Sequence, residues 1–144
     1  MRPAFLLGGT MKVTILGKTY DMAYTVWGMQ EFKRRLGSTS PYENIAKDAS
    51  GAEWAARTAI AIEVLINDAI TRDNWQRQNG LKAGKEQKLL TEGYIEHMVP
   101  VKEITAAAPS VTATLLNDTH VEEQETETDE PVDLVLQEID QKNG

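Results

Sequence analysis

The sequence contains no cysteine. That absence excludes disulfide frameworks, Cys-ligated zinc, iron–sulfur clusters and thiol nucleophiles together. Histidine is almost missing too: only His97 and His120 occur, so the side chain best suited to proton transfer near neutral pH has two positions available. His120 lies in a polar segment with no partner to hold it, and His97 lies near the end of a short predicted helix, where a positive charge at the C-terminus accounts for it. No HExxH, no calcium loop and no repeated Glu-x-x-His pair is present. Long apolar runs are also lacking. "MRPAFLLGGT" offers four consecutive apolar residues behind one Arg, too few for a signal-peptide core or a membrane span. The expectation is a soluble, non-enzymatic chain with no metal, cofactor or membrane partner. Residues 1–10 read as a flexible leader, with Met11 as an alternative start.

Positive charge is scarce at one end. The chain carries a net −7 over 144 residues, yet ten of its 22 acidic residues fall within 118–144, where Lys142 is the only base. The preceding part is therefore slightly basic, and the low isoelectric point describes the tail. "THVEEQETETDEP" has Val121 as its one apolar residue before the proline and is predicted to be disordered. The last piece, "PVDLVLQEIDQK", sets Val132, Val135, Leu136 and Ile139 at i, i+3, i+4 and i+7. With nothing local to pack against, these four are the candidate partner-binding residues, on a short helix over 131–142 that orders on a partner.

The ordered part opens with "VTILGKTYDMAYTVWGMQEFKRRLG". Val13 and Ile15 alternate with Thr14 and Leu16, and Tyr20, Met22 and Tyr24 alternate with Thr19, Asp21 and Ala23, which is the period of two half-buried strands. Gly17-Lys18 between them predicts a hairpin with a type II′ turn, whose first central residue needs positive φ. From Thr25 the spacing becomes helical, with Met29, Phe32 and Leu36 on one face and Gly37 as the stop. Ser40-Pro41 suggests a further short turn of helix. Ser50-Gly51-Ala52-Glu53 is a capping-box pattern opening the longest helix, whose stripe is Trp54, Thr58, Ile62, Leu65, Ile66, Ala69 and Ile70. This helix is the expected core, with a pause expected around Asp73-Asn74. Trp27 and Trp54 are read as core residues.

"RQNGLKAGKEQK", residues 77–88, reads as a flexible basic loop. "GLKAGKE" departs from a phosphate-binding loop in glycine spacing, in Glu86 where a Ser or Thr belongs, and in following a helix. Arg72, Arg77, Lys82, Lys85 and Lys88 with Trp75 suggest a nucleic-acid patch, a weaker reading because Asp73 and Glu86 dilute it. Residues 91–98 predict a short helix capped by Thr91. Pro100 opens another, with Val101, Ile104, Ala108, Val111 and Leu115 on one face and a kink or break at Pro109. The pattern as a whole predicts a mostly α, α+β fold: an N-terminal β-hairpin, four or five helices over 11–118, and an acidic disordered tail over 119–144.

The hairpin with Gly17-Lys18-Thr19-Tyr20 at its turn, running into a helix that ends in Leu36-Gly37, resembles the start of the small tail assembly chaperones of long-tailed bacteriophages and prophages. The likeness covers residues 12–118 in layout and the first twenty-five of these in wording. It implies a non-enzymatic role in the host cytoplasm: coating the tape-measure protein and recruiting tail-tube subunits, with self-association a further option. The alternatives are a small phage nucleic-acid-binding or regulatory protein using residues 72–88, and a virion structural subunit such as a head–tail joining component.

Overall fold

A computed structural model describes residues 11–37 and 51–120. The predicted Ser40-Pro41 turn, the Ser50 cap, the leader and residues 121–144 of the acidic tail lie outside these residues, whereas Thr119 and His120, expected in the disordered tail, are the last residues of a helix. The described elements are a hairpin and four helices: β1 (Met11–Ile15), β2 (Lys18–Met22), α1 (Val26–Leu36), α2 (Gly51–Gln78), α3 (Tyr94–Met98) and α4 (Val101–His120). The chain divides into two units between Thr114 and Leu115. The first holds the hairpin, α1 to α3 and most of α4; within the second, the described residues are the end of that helix.

β1 and β2 pair antiparallel, with Val13 opposite Tyr20 and Ile15 opposite Lys18. The two-residue loop is therefore Leu16-Gly17. Both take positive φ, 50° and 81°, which marks a type I′ turn in place of the expected type II′ over Gly17-Lys18. Cross-strand pairs on the solvent face explain the register. Lys12 Nζ meets Asp21 Oδ1 at 2.5 Å, and the Thr14 and Thr19 hydroxyls lie 3.1 Å apart. Sliding the strands to the other loop would break both pairs. The opposite face buries Val13, Ile15 and Met22.

α2 is the centre of the fold. Its 28 residues span about 42 Å at the helical rise, and every residue from 61 to 70 is buried. A helix buried all round needs apolar residues on every side, and "AIAIEVLINDAI" supplies them apart from Glu63, Asn67 and Asp68. The expected stripe was thus too narrow. The helix does not pause at Asp73-Asn74: Asp73 pairs with Arg77 one turn on, and the Asn74 amide bonds another segment. Beyond the end of β2, the Ala23 N–H donates to the carbonyl of Leu65 at 3.1 Å, tying the hairpin to this helix. On α1, Gly28 and Phe32 face inward while Met29 is 40% exposed. Trp27 and Trp54 are half-buried at the margin of the core.

α4 runs unbroken through Pro109. Pro109 and Thr105, whose carbonyl loses its donor, are both exposed, so solvent replaces the missing bond and no break results. Its buried residues are Ile104, Ala107, Val111, Thr114 and Leu115, with Val101 63% exposed. Glu103 Oε1 accepts from the Leu16 N–H at 2.8 Å, joining the start of α4 to the hairpin turn.

Candidate functional site

The polar residues embedded in α2 organise everything around it. Asp68 is fully buried and lies beside the N-terminus of α1. Its carboxylate accepts from the Thr25 N–H at 2.6 Å and from the Thr25 hydroxyl at 2.7 Å, and the Gly28 N–H also bonds to it. The Thr25 hydroxyl in turn accepts from the Trp27 N–H at 3.2 Å. α1 has no acidic residue in its first turn, so Asp68 supplies from another helix the negative group that its free N–H ends require. Burial pushes the Asp68 carboxyl above the ordinary aspartate range, an effect opposed by the Thr25 bonds and the charge of Arg72.

Glu63 does the same for α3. That short helix opens at Gly93, φ 93°, without a side-chain cap of its own. The buried Glu63 carboxylate accepts from the Gly93 N–H at 3.1 Å and the Ile95 N–H at 3.3 Å, and from Arg35 Nη1 of α1 at 2.5 Å. α3 therefore begins at Tyr94 and not at Thr91, whose carbonyl only closes a turn onto the Tyr94 N–H. Around this node Arg34 bridges Glu31 and Glu92, each at 2.8 Å. The hydrogen bond from Arg34, then the charges of Arg35 and Arg34, hold the Glu92 carboxyl below its usual range.

Two asparagines complete the pattern. Asn67 Nδ2 donates to the Leu90 carbonyl at 3.1 Å while its Oδ1 accepts the Leu90 N–H at 2.8 Å. Asn74 grips Gln87 identically, at 2.7 and 2.8 Å. The two amides stand seven residues apart on α2, about 10.5 Å at the helical rise, and together hold residues 87 and 90 of the segment that follows. Further along, Arg77 Nε donates to the Ala83 carbonyl at 3.0 Å, and Gln78 to Glu86 at 3.0 Å. The expected flexible loop is thus strapped back along α2. Its residues 81–89 are exposed and carry no regular helix or strand.

The strap changes the reading of the basic patch. Arg77 and Lys82 both bond Asp73, and Arg72 acts on the Asp68 carboxyl. Among the described residues, Lys85 and Lys88 have no ion-pair or hydrogen-bond partner. Trp75 is 57% exposed. His97 spends a ring nitrogen on the Gly93 carbonyl at 2.7 Å. Among the described residues no group of three or more His, Asp or Glu could hold a metal ion, and no helix is long and apolar enough to cross a membrane. Val132, Val135, Leu136 and Ile139 lie outside the described residues.

Sequence reasoning missed Glu63, Asn67, Asp68 and Asn74. A signal was present: three polar residues within the apolar run of residues 59–70 must each find a partner once that run is buried. No family model, no curated protein and no solved structure matches the chain.

Proposed function

We propose that this chain is a tail assembly chaperone of a long-tailed bacteriophage or prophage, a non-enzymatic protein that binds the tape-measure protein in the host cytoplasm and recruits tail-tube subunits. The observation that carries the reading is the opening unit: a Gly-Lys-x-Tyr hairpin running directly into a capped helix, α1, docked on a long central helix. Exposed apolar side chains add to it. Val26 and Met29 on α1 are 69% and 40% exposed, and Met98 and Val101 are 59% and 63% exposed. Such side chains suit the apolar stripes of a long helical partner.

The test is co-expression with the product of the long helical coding region expected downstream. Soluble yield of that product should rise with this chain present, and fall again with Val26→Asp plus Met29→Asp in a variant that keeps its native melting temperature. An insoluble partner with or without the chain sinks the reading. Recovery of the chain from purified virions would favour the structural-subunit reading. Capture of nucleic acid with a steep salt dependence would favour the regulatory one.

A further inference from the structure

The hairpin is a sheet of two strands, so each strand has an outer edge. The Leu16-Gly17 loop closes on the Ile15–Lys18 pair, and main-chain bonding alternates from there. Met11, Val13 and Ile15 therefore exchange bonds with Met22, Tyr20 and Lys18, and the Lys12–Asp21 and Thr14–Thr19 side-chain contacts mark the positions between. The N–H and C=O groups of Lys12 and Thr14 consequently point outward from β1. Each edge is closed at one end: beyond β2 the Ala23 N–H bonds the Leu65 carbonyl, and beyond β1 the Leu16 N–H bonds Glu103. α2 also packs along β2, whereas the main described neighbour of β1 is β2 itself. Among the described residues, the outward main-chain groups of Lys12 and Thr14 have no partner. Natural edge strands are commonly guarded by a proline, a bulge or a charge directed at an incoming strand. β1 has no proline, its register runs without a bulge, and its one charge, Lys12, is drawn across the hairpin to Asp21.

This edge is complementary to itself. An added strand must set its own outward groups against those of Lys12 and Thr14, which leaves a second copy three antiparallel registers. Lys12 opposite Lys12 sets like charges face to face. Thr14 opposite Thr14 sets Lys12 opposite Leu16, whose N–H is already held by Glu103. Lys12 opposite Thr14 meets neither obstacle. With a two-fold axis at Val13, every outward group of both residues bonds, Met11 stands opposite Ile15, and the two Val13 side chains meet on the apolar face. We infer that β1 pairs antiparallel with β1 of a second copy in this register, extending the hairpin into a four-stranded sheet across a two-fold axis. The inference is independent of the chaperone reading, and its test uses this chain alone.

An interface this short belongs to the weak, transient class, below about 1,200 Å². The full chain should therefore shift from monomer toward dimer as concentration rises in sedimentation equilibrium, and amide exchange at Lys12 and Thr14 should slow with it. Thr14→Pro removes one outward N–H per copy, leaves the bonds between β1 and β2, and suits an edge strand. It should weaken dimerisation about twenty-fivefold, from two bonds at about fivefold each. The chain has no cysteine, so introduced cysteines read the register under oxidation. Val13→Cys should cross-link the copies, because its two Cβ atoms face each other in a non-hydrogen-bonded pair, close enough to bridge. Lys12→Cys alone and Thr14→Cys alone should not, since each stands two residues along the strand from its counterpart. The two together in one chain should cross-link, which reads the same register without touching the core. Amide spectra show whether each variant keeps its fold. A chain that stays monomeric at every concentration overturns the inference, and slow exchange at Lys12 and Thr14 in that monomer would assign the edge to another segment of the same chain. Thr14→Pro dimerising as well as the parent overturns it too, as does cross-linking through Lys12→Cys alone or Thr14→Cys alone.

Discussion

A β-carbon on Gly28 would run into Oδ2 of Asp68. The first turn of α1 lies so close to α2 because the Asp68 carboxylate bonds its main chain directly, and a glycine is what leaves room. Gly28→Ala should therefore destabilise the domain by about 1 to 3 kcal/mol, the usual cost of overpacking, although alanine in a helix is worth up to about 1 kcal/mol over glycine. Denaturant unfolding decides the sign. A more stable variant would mean that α1 can shift away without losing its cap.

Asp68 also gives a pH dependence. Its carboxyl is raised above the ordinary value, so the native state holds this proton over a range where the unfolded chain has released it. The stability it contributes is full below the unfolded pKa, about 3.9, and is lost as pH rises through the native value. The stability difference between the parent and Asp68→Asn should accordingly shift against the parent as pH rises through that window. Carboxyl carbon chemical shifts give the native midpoint directly, and a midpoint at or below about 3.9 contradicts the assignment.

The Arg35–Glu63 pair is buried, with side chains 8% and 1% exposed. Removing Glu63 alone, as in Glu63→Met, leaves two N–H groups at the start of α3 without an acceptor and the guanidinium with only its longer contacts to Glu96 at 3.6 Å and Glu92 at 3.9 Å, and should cost about 3 kcal/mol. Arg35→Met combined with Glu63→Gln should cost less than that single change, because the amide oxygen still accepts from Gly93 and Ile95. If the double variant were the worse of the two, the ion pair itself, and not the capping, would hold α3 in place.

Leu16 sits at φ 50° in the hairpin turn, a conformation that asparagine tolerates and leucine resists. It is 44% exposed, so little packing is lost on replacement. Leu16→Asn should stabilise the domain by about 0.5 to 1 kcal/mol, read as a raised melting temperature. No gain would show that the leucine contact with the body of the protein offsets the strain.

The hairpin, α1, α2 and α4 were legible in the sequence because each depends on a local pattern: alternation, a three-four apolar spacing, Thr25 before α1 and Gly37 after it. The turn type was not. Loops over Leu16-Gly17 and over Gly17-Lys18 differ by a two-residue slide, which leaves Val13, Ile15, Tyr20 and Met22 on the same face, so apolar alternation cannot separate them. The Lys12–Asp21 and Thr14–Thr19 pairs do.

Local rules also misread the segment after α2. Glycine, lysine and glutamine dominate residues 77–88, whose one large apolar side chain, Leu81, is 68% exposed, and the bonds that hold the segment come from Asn74, Arg77 and Gln78 of α2, with Asn67 holding Leu90 just beyond it. The same holds for α3, whose start is set by Glu63, thirty residues away from Gly93. Sequence by itself determined which segments are helical and which are paired strands, since propensity and periodicity act over a few residues. Tertiary structure alone decided what the acids and amides of α2 do, because a buried polar group takes whichever backbone donor or acceptor packing brings within about 3 Å.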